Sequence, residues 1–273
     1  MTFLATPKTG TYLFRMLPAI RNLEPGRPAR VGQSILERRY RIVSKFLCGR
    51  LNNSVMLDIG CGNGAQTVHF RKDVRQLIGL DMFSAYEAET PVGRDCFKFI
   101  RGSALELPLK SESMDIVTAF EVLEHLPDDL HAVQEIARVL KPDGVFFFSV
   151  PNKWWLFESH GAIVPGLNWI PWNRVPFFSW LPRPIHERLA KARTYTLVRA
   201  RKLVEVSGLK PIAGGFITAP LDVLGDSAFK WILKKLVFRK DTIRNPFLAV
   251  NLFVAAQKSD FTPAVNSNIT CKC

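Results

Sequence analysis

At 273 residues the chain suffices for one large α/β domain with a sizeable core, and 47% apolar against 22% charged residues excludes a disordered polymer. No uninterrupted apolar run approaches the ~18 residues that a membrane-spanning helix needs; the best candidate, Phe247–Ala256, contains Asn251 and reads as a buried strand. The formal net charge of +13 predicts either attraction to something anionic (a phospholipid surface, a nucleic acid, an acidic substrate) or a basic surface that only aids solubility.

Residues 1–32 read as a basic N-terminal arm that ends near Pro25-Gly26-Arg27-Pro28. One domain is expected over 33–260, with an insert or cap over 152–195, and a flexible tail over 261–273. Ser34 is placed to cap a helix in which Leu36, Tyr40, Val43 and Leu47 recur at helical spacing. Short apolar runs then follow at Val55–Ile59, Leu77–Leu80, Phe97–Ile100, Ile116–Phe120 and Val145–Val150. Helical stretches separate several of them, notably Glu121–Glu124 onward and Ala132–Leu140. Such alternation implies βαβ units and a parallel sheet, whose strands are buried on both faces.

The alternation stops at Pro151. The next segment holds Trp154, Trp155, Trp169, Trp172 and Trp180. These can form a satellite core, or they can touch an apolar acceptor or a membrane interface. A helix over Thr196–Ser207 ends at Gly208, and a strand follows near Pro211–Ile217. The basic amphipathic stretch Ala228–Lys240 reads either as an interfacial helix or as an ordinary sheet-covering one.

The densest signal is Val55-Met56-Leu57-Asp58-Ile59-Gly60-Cys61-Gly62-Asn63-Gly64, an apolar strand running into Gly-x-Gly-x-Gly. Glycines let the backbone turn tightly and meet a ligand with no Cβ in the way, and a following helix is expected to present its N-terminus there. A second apolar strand, Leu77-Ile78-Gly79-Leu80-Asp81, ends in an acid. A carboxylate at that place can accept both ribose hydroxyls of a nucleoside lying across the strand ends; the alternative is a surface Asp capping a turn. The third glycine comes one residue earlier than in the dinucleotide fingerprint, and Asp58 would repel a pyrophosphate. A cationic ligand, such as an amino acid joined to a nucleoside, matches better.

With these motifs in order, the chain resembles the class I S-adenosylmethionine-dependent methyltransferases of the quinone-biosynthesis and sterol type. Leu57–Gly64 is similar to their first motif and Asp81 to their ribose-binding acid. Gly102-Ser103-Ala104 with Leu107-Pro108 is similar to their third motif, and Asp115-Ile116-Val117 through Glu121–Asp128 to their fourth. Arg138–Gly144 resembles the turn before their fifth strand. The resemblance covers Val55 to Asn152. It implies a Rossmann-like three-layer α/β sandwich: a seven-stranded, mostly parallel sheet, the last strand antiparallel, with helices on both faces. It also implies S-adenosyl-L-methionine as cofactor, held by Asp58, Gly60, Cys61, Gly62, Gly64, Asp81, Met82, Ser103, Ala104 and Phe120. Ser103 stands where the family usually has Asp, and a hydroxyl accepts a weaker hydrogen bond from the adenine amino group.

Methyl transfer to a hydroxyl requires a proton acceptor, and His125, beside Glu124, is the natural candidate. Glu121, Glu124 and His125 share one face if the segment is helical, and some quinone O-methyltransferases that resemble this chain use a divalent metal. The alternative leaves the two acids at a helix N-terminus, His125 packed, and no metal. The insert after Asn152 is expected to shape the acceptor pocket, with Glu158 and His160 pointing inward or solvated.

The expected reaction is methylation of an oxygen or carbon of a small, apolar or lipid-like acceptor of the quinone or phenol type. An RNA methyltransferase and a non-catalytic cofactor-binding assembly or regulatory protein are the rivals. Against the RNA reading, Phe120-Glu121-Val122-Leu123 lacks the Asn/Asp-Pro-Pro-aromatic pattern. Five cysteines without paired spacing fit a reduced, cytoplasmic compartment, with association to an anionic membrane surface as the further expectation.

Overall fold

Each apolar run of the first half becomes a strand. The computed structural model describes residues 33–83, 97–219 and 240–259. The arm over 1–32, the tail over 261–273 and the Ala228–Lys240 stretch except its last residue lie outside the described residues.

The chain runs α1 (Gln33–Phe46), β1 (Val55–Ile59), β2 (Gln76–Asp81), β3 (Phe97–Arg101), β4 (Met114–Phe120), α2 (Asp129–Val139) and β5 (Leu140–Pro151). It continues with α3 (Arg183–Leu189), α4 (Leu197–Val206), β6 (Leu209–Thr218), β7 (Thr242–Ile243) and β8 (Ala249–Lys258). These strands form one sheet in the order β3-β2-β1-β4-β5-β8-β6-β7. The pairings among β1 to β5 are parallel, and β8 lies antiparallel between β5 and β6.

Two apolar clusters cover the two faces, as a three-layer sandwich requires. One packs α2 (Ala132, Val133, Ile136) and α4 (Ala200, Val204) on Leu57, Val117 and Phe146. The other packs α1 (Ile42, Val43) with Leu47 and Phe70 on Met56, Ile116 and Phe147. The alternating partition of β1, with Leu57 in one cluster and Met56 in the other, is the period of a strand buried on both sides.

The sheet has eight strands where seven are expected. The eighth is the two-residue β7, which pairs Ile243 with Phe216 at the edge. Asp241 holds that edge to α1: Arg41 reaches its carboxylate at 2.7 and 3.0 Å, and Arg38 lies 3.4 Å away. Such pairing of a short segment is set by contacts from α1, some two hundred residues earlier in the chain, and has no local sequence signal.

Three local expectations are corrected. Ser34 is the second residue of α1, inside the helix instead of capping it. The segment after Gly64 forms only a four-residue 3-10 turn, Thr67–Phe70, in place of a full helix. Within this segment Phe70 is buried, with the Tyr40 ring of α1 5.3 Å from it. The helix expected from Glu121 is a single 3-10 turn, Leu123–His125, and α2 begins only at Asp129. Pro127 disfavours helical backbone at the residue before it, and Leu126 is extended at φ −78°, ψ 140°. Asp128 then caps α2, its side chain accepting the His131 amide at 2.9 Å.

The insert is fastened at both ends. The Asn152 side chain donates to the carbonyls of Pro246 and Ala249 at 2.7 and 2.8 Å. Tyr195 is fully buried, and its hydroxyl donates to Asp129 at 2.7 Å.

Candidate active site

The sheet order reverses between β1 and β4, and ligands of open α/β sheets bind outside the carboxyl ends of strands at such a switch point. Three segments meet there: the turn after β1, the end of β2 and the turn after β4.

The turn after β1 is a run of left-handed glycines. Gly60, Gly62 and Gly64 have φ of +68°, +53° and +77°, a region open to glycine at no steric cost. A Cβ on Gly60 would also overlap the Val122 side chain, so the glycine lets the turn after β4 close against the turn after β1. Asp81 sits half-buried at the end of β2. One carboxylate oxygen accepts the Gly62 amide at 2.8 Å, the other the Phe83 amide at 2.9 Å. Each oxygen has two lone pairs, so both keep capacity for a hydroxyl donor.

Asp58 is buried beneath the turn and accepts the hydroxyls of Thr67 at 2.5 Å and Thr118 at 2.8 Å. Burial pushes its carboxyl from the ordinary 3.8 up to about 6, against the pull of those two hydroxyls. Cys61 is buried, and burial raises its thiol far above its ordinary range, so it packs as a neutral side chain. Met82 is 49% exposed beyond Asp81. Ser103 is half-buried and spends a hydroxyl lone pair on the Leu105 amide at 3.1 Å, Ala104 is buried, and Phe120 is buried with the Arg39 guanidinium 5.5 Å from its ring centre.

The turn after β4 carries the titratable groups. Glu121 sits at φ +57°. Its carboxylate meets Arg39 of α1 at 3.2 Å and accepts from the Asn251 and Ser149 side chains. Arg39 is buried, a cation placed where the amphipathic pattern of α1 asks for an apolar residue; Glu121 is its compensation. Glu124 is fully buried and neither carboxyl oxygen has a hydrogen-bond partner among the described residues. Burial pushes its carboxyl well above the carboxylate range, and the neighbouring Glu121 charge adds to that.

His125 and His160 face each other edge to face at 4.8 Å, and each Nε2 lies 3.9 Å from Glu124. Burial, with His125 alongside, lowers the His160 imidazole to about 3, so it is neutral, and its Nδ1 is unpartnered among the described residues. One ligand atom from each of Glu124, His125 and His160 falls within 4.8 Å of the others. The expected trio of Glu121, Glu124 and His125 is therefore not what the fold assembles. With no helix over 121–125 the shared face is lost, and His160 of the insert takes the place of Glu121. Glu158 is buried too, hydrogen-bonded to His186 at 2.7 Å, and the His160 amide donates to it at 3.3 Å.

Sequence reasoning missed Arg39, His186 and Asn251 as parts of the site. Of these only Asn251, a polar break in an apolar strand, leaves a local signal.

The residues around the switch point suit a nucleoside carrying an amino acid: backbone free of Cβ atoms, a half-buried acid at the end of β2 and apolar walls. Comparison with known proteins agrees. Residues 57–148 match the family described as methyltransferase domain. A Mycolicibacterium smegmatis protein named probable S-adenosylmethionine-dependent methyltransferase is 37% identical over 116 residues, 42% of this chain and 45% of that protein. The ubiquinone biosynthesis O-methyltransferase of Histophilus somni is 30% identical over 146 residues, 50% of this chain and 58% of that one. The chain thus spans about half the length of the curated relatives it matches. The fold is shared with an S-adenosylmethionine-dependent methyltransferase from Mesorhizobium loti, with a TM-score of 0.54 at 17% identity over 81% of this chain and 99% of that one. Over residues 57–148 the chain is thus similar to the methyltransferase domain, and its fold is one that S-adenosylmethionine-dependent methyltransferase structures share.

Proposed function

We propose that this protein transfers a methyl group from S-adenosylmethionine to an oxygen or carbon of a small, apolar or lipid-like acceptor of the quinone or phenol type. The observation that carries the proposal is the Glu124–His125–His160 cluster, with Glu124 buried and the two imidazoles half-buried, in and beside the turn after β4 whose Val122 packs on Gly60. The cofactor supplies an electrophilic methyl group when bound. Asp81 and the glycine turn hold and orient it. His125 takes the acceptor's proton at an imidazole nitrogen, with the His160 ring packed edge to face against it and fixing its orientation. The insert, tied down at Asn152 and Tyr195, keeps water out. Ubiquinone O-methyltransferases among the relatives support a phenolic acceptor.

The orphaned Glu124 oxygens and the unpartnered His160 Nδ1 favour a second reading of the same cluster, in which a divalent ion sits among Glu124, His125 and His160. Carboxylate and imidazole suit such an ion. Trp154, Trp180, Phe177 and Phe247 form a half-exposed aromatic patch with ring centres 4.9–6.3 Å apart, and Trp169 stands 79% exposed. With the positive net charge it supports docking on an anionic membrane, where a lipid-like acceptor resides.

Incubation of the protein with labelled cofactor and a lipid and small-molecule extract, followed by mass spectrometry, tests the proposal. Label in an apolar phenolic fraction is expected. Label only in added RNA, or cofactor binding with no labelled product, would overturn it.

A further inference from the structure

The switch-point cluster does not exhaust the charged groups that the insert gathers. A cavity of about 220 Å³ opens beside it. Its walls hold three cations, Lys153, Arg183 and Arg199, with the side chains of Thr194 and Thr196, and Glu187 is its one acidic lining residue.

That carboxylate is shared. A single Glu187 oxygen accepts Arg183 at 2.8 Å and Arg199 at 3.1 Å. Asp129 answers Arg199 a second time from 3.8 Å. Lys153 has no carboxylate within ion-pair distance among the described residues. Its ammonium donates to the carbonyls of Ser179 at 3.3 Å and Leu181 at 2.8 Å, which leaves its third proton unassigned. Arg183 spends only its Nε on Glu187, so both Nη groups remain as donors.

A partly buried cation without full compensation, as Lys153 is, is costly, and a bound anion supplies what is missing. Burial and the Arg199 charge lower the Lys153 ammonium from its ordinary range, with Glu187 opposing. An anion beside Lys153 would restore it. Lys supplies a point charge and Arg a planar pair of donors, the combination used for carboxylate and phosphate oxygens. The volume is below the ~300 Å³ at which pockets begin to hold a drug-sized ligand, so it admits a headgroup and not a whole lipid.

The cavity is also linked to the candidate base by a run of contacts. His186 lines it, and Glu158 binds His186 on one side and the His160 amide on the other. His160 packs on His125. The cationic cavity is therefore connected to the candidate base by contacts through His186, Glu158 and His160.

We propose that Lys153, Arg183 and Arg199 form an oxyanion site that holds a carboxylate or phosphate group of the methyl acceptor, or of the lipid that presents it. The link to the acceptor rests on the methyltransferase reading; the oxyanion site itself does not.

Calorimetric titration with inorganic phosphate and with benzoate tests the site, in the full chain, at low salt. Binding of at least one probe is expected. Lys153→Met keeps the packed stem and Arg183→Met alters an exposed side chain, so both should fold. Each should raise the probe's Kd at least tenfold, with S-adenosylmethionine affinity retained. No binding of either probe at millimolar concentration, or equal affinity in both folded variants, would overturn the site. Two arms separate the sources. Phosphate that releases the protein from phosphatidylglycerol vesicles identifies a lipid headgroup. Phosphate that leaves vesicle binding intact identifies a soluble acidic acceptor. Lost cofactor binding in the unaltered protein would instead overturn the methyltransferase reading and leave the phosphate result standing.

Discussion

The Gly62 amide donates to the Asp81 carboxylate at 2.8 Å, which ties the turn after β1 to the end of β2. The acid therefore has a structural task within the turn besides any contact with a ribose. The two are separable by substitution. Asp81→Ala removes both and is expected to weaken S-adenosylmethionine binding at least tenfold, each charge-assisted bond being worth ~1.5–3 kcal/mol. Asp81→Asn keeps a carbonyl oxygen for the Gly62 amide, so its thermal stability should stay near the parent while cofactor affinity still falls. Calorimetry on both variants checks this; undiminished affinity in a folded Asp81→Ala protein would remove the ribose assignment.

Gly60 and Gly49 offer a matched comparison. Both have positive φ, +68° and +80°, but a Cβ meets Val122 only at Gly60. Gly49→Ala is expected to cost the ~1–2 kcal/mol of left-handed strain alone. Gly60→Ala should cost visibly more by chemical denaturation and abolish cofactor binding, because Val122 and the turn after β4 must move. Equal costs would mean that the two turns are not packed against each other.

Asp58 makes stability depend on pH. Its folded-state value, about 6, lies above the ordinary 3.8, so the protonated form contributes stability that is full below pH ~4 and is lost as pH rises through ~6. The shift corresponds to about 3 kcal/mol at most. Asp58→Asn carries no buried charge at any pH. The ligand-free variant should gain on the parent by up to that amount between pH 4 and pH 8 in urea unfolding. A pH-independent difference would show that Asp58 stays neutral or solvated.

His125 is expected to act in the acceptor step. His125→Ala should lower turnover by about 10²-fold or more, with the cofactor Kd little changed. If a metal occupies the cluster, chelator abolishes activity, Mg²⁺ or another divalent ion restores it, and His160→Ala raises the metal concentration needed. Full activity in His125→Ala would reduce the residue to packing.

The aromatic patch should give the membrane contact a salt-resistant part. The protein is expected to co-sediment with anionic vesicles at low salt and much less with neutral ones. Trp169→Ala, at a side chain 79% exposed, should reduce the binding that survives added salt without loss of fold. Indifference to anionic vesicles, together with steeply salt-dependent RNA binding, would move the RNA reading ahead.

The chain's own order of residues determines the glycine turn and the strands around it. Gly60, Gly62 and Gly64 announce a turn only glycine makes easily, the apolar runs at 55–59 and 77–80 announce buried strands, and Asp81 follows one of them directly. These are short-range demands on backbone and burial, so adjacent residues encode them. The side formed by the turn after β4 and the insert is different. Pro127 breaks the helix that would have aligned Glu121 with His125, Arg39 of α1 claims Glu121, and His160 arrives from the insert. Lys153, Arg183 and Arg199 form one cavity only because Tyr195 and Asn152 pin the insert to the sheet. Convergence of side chains from distant segments depends on how layers pack, and no spacing along the chain reports it.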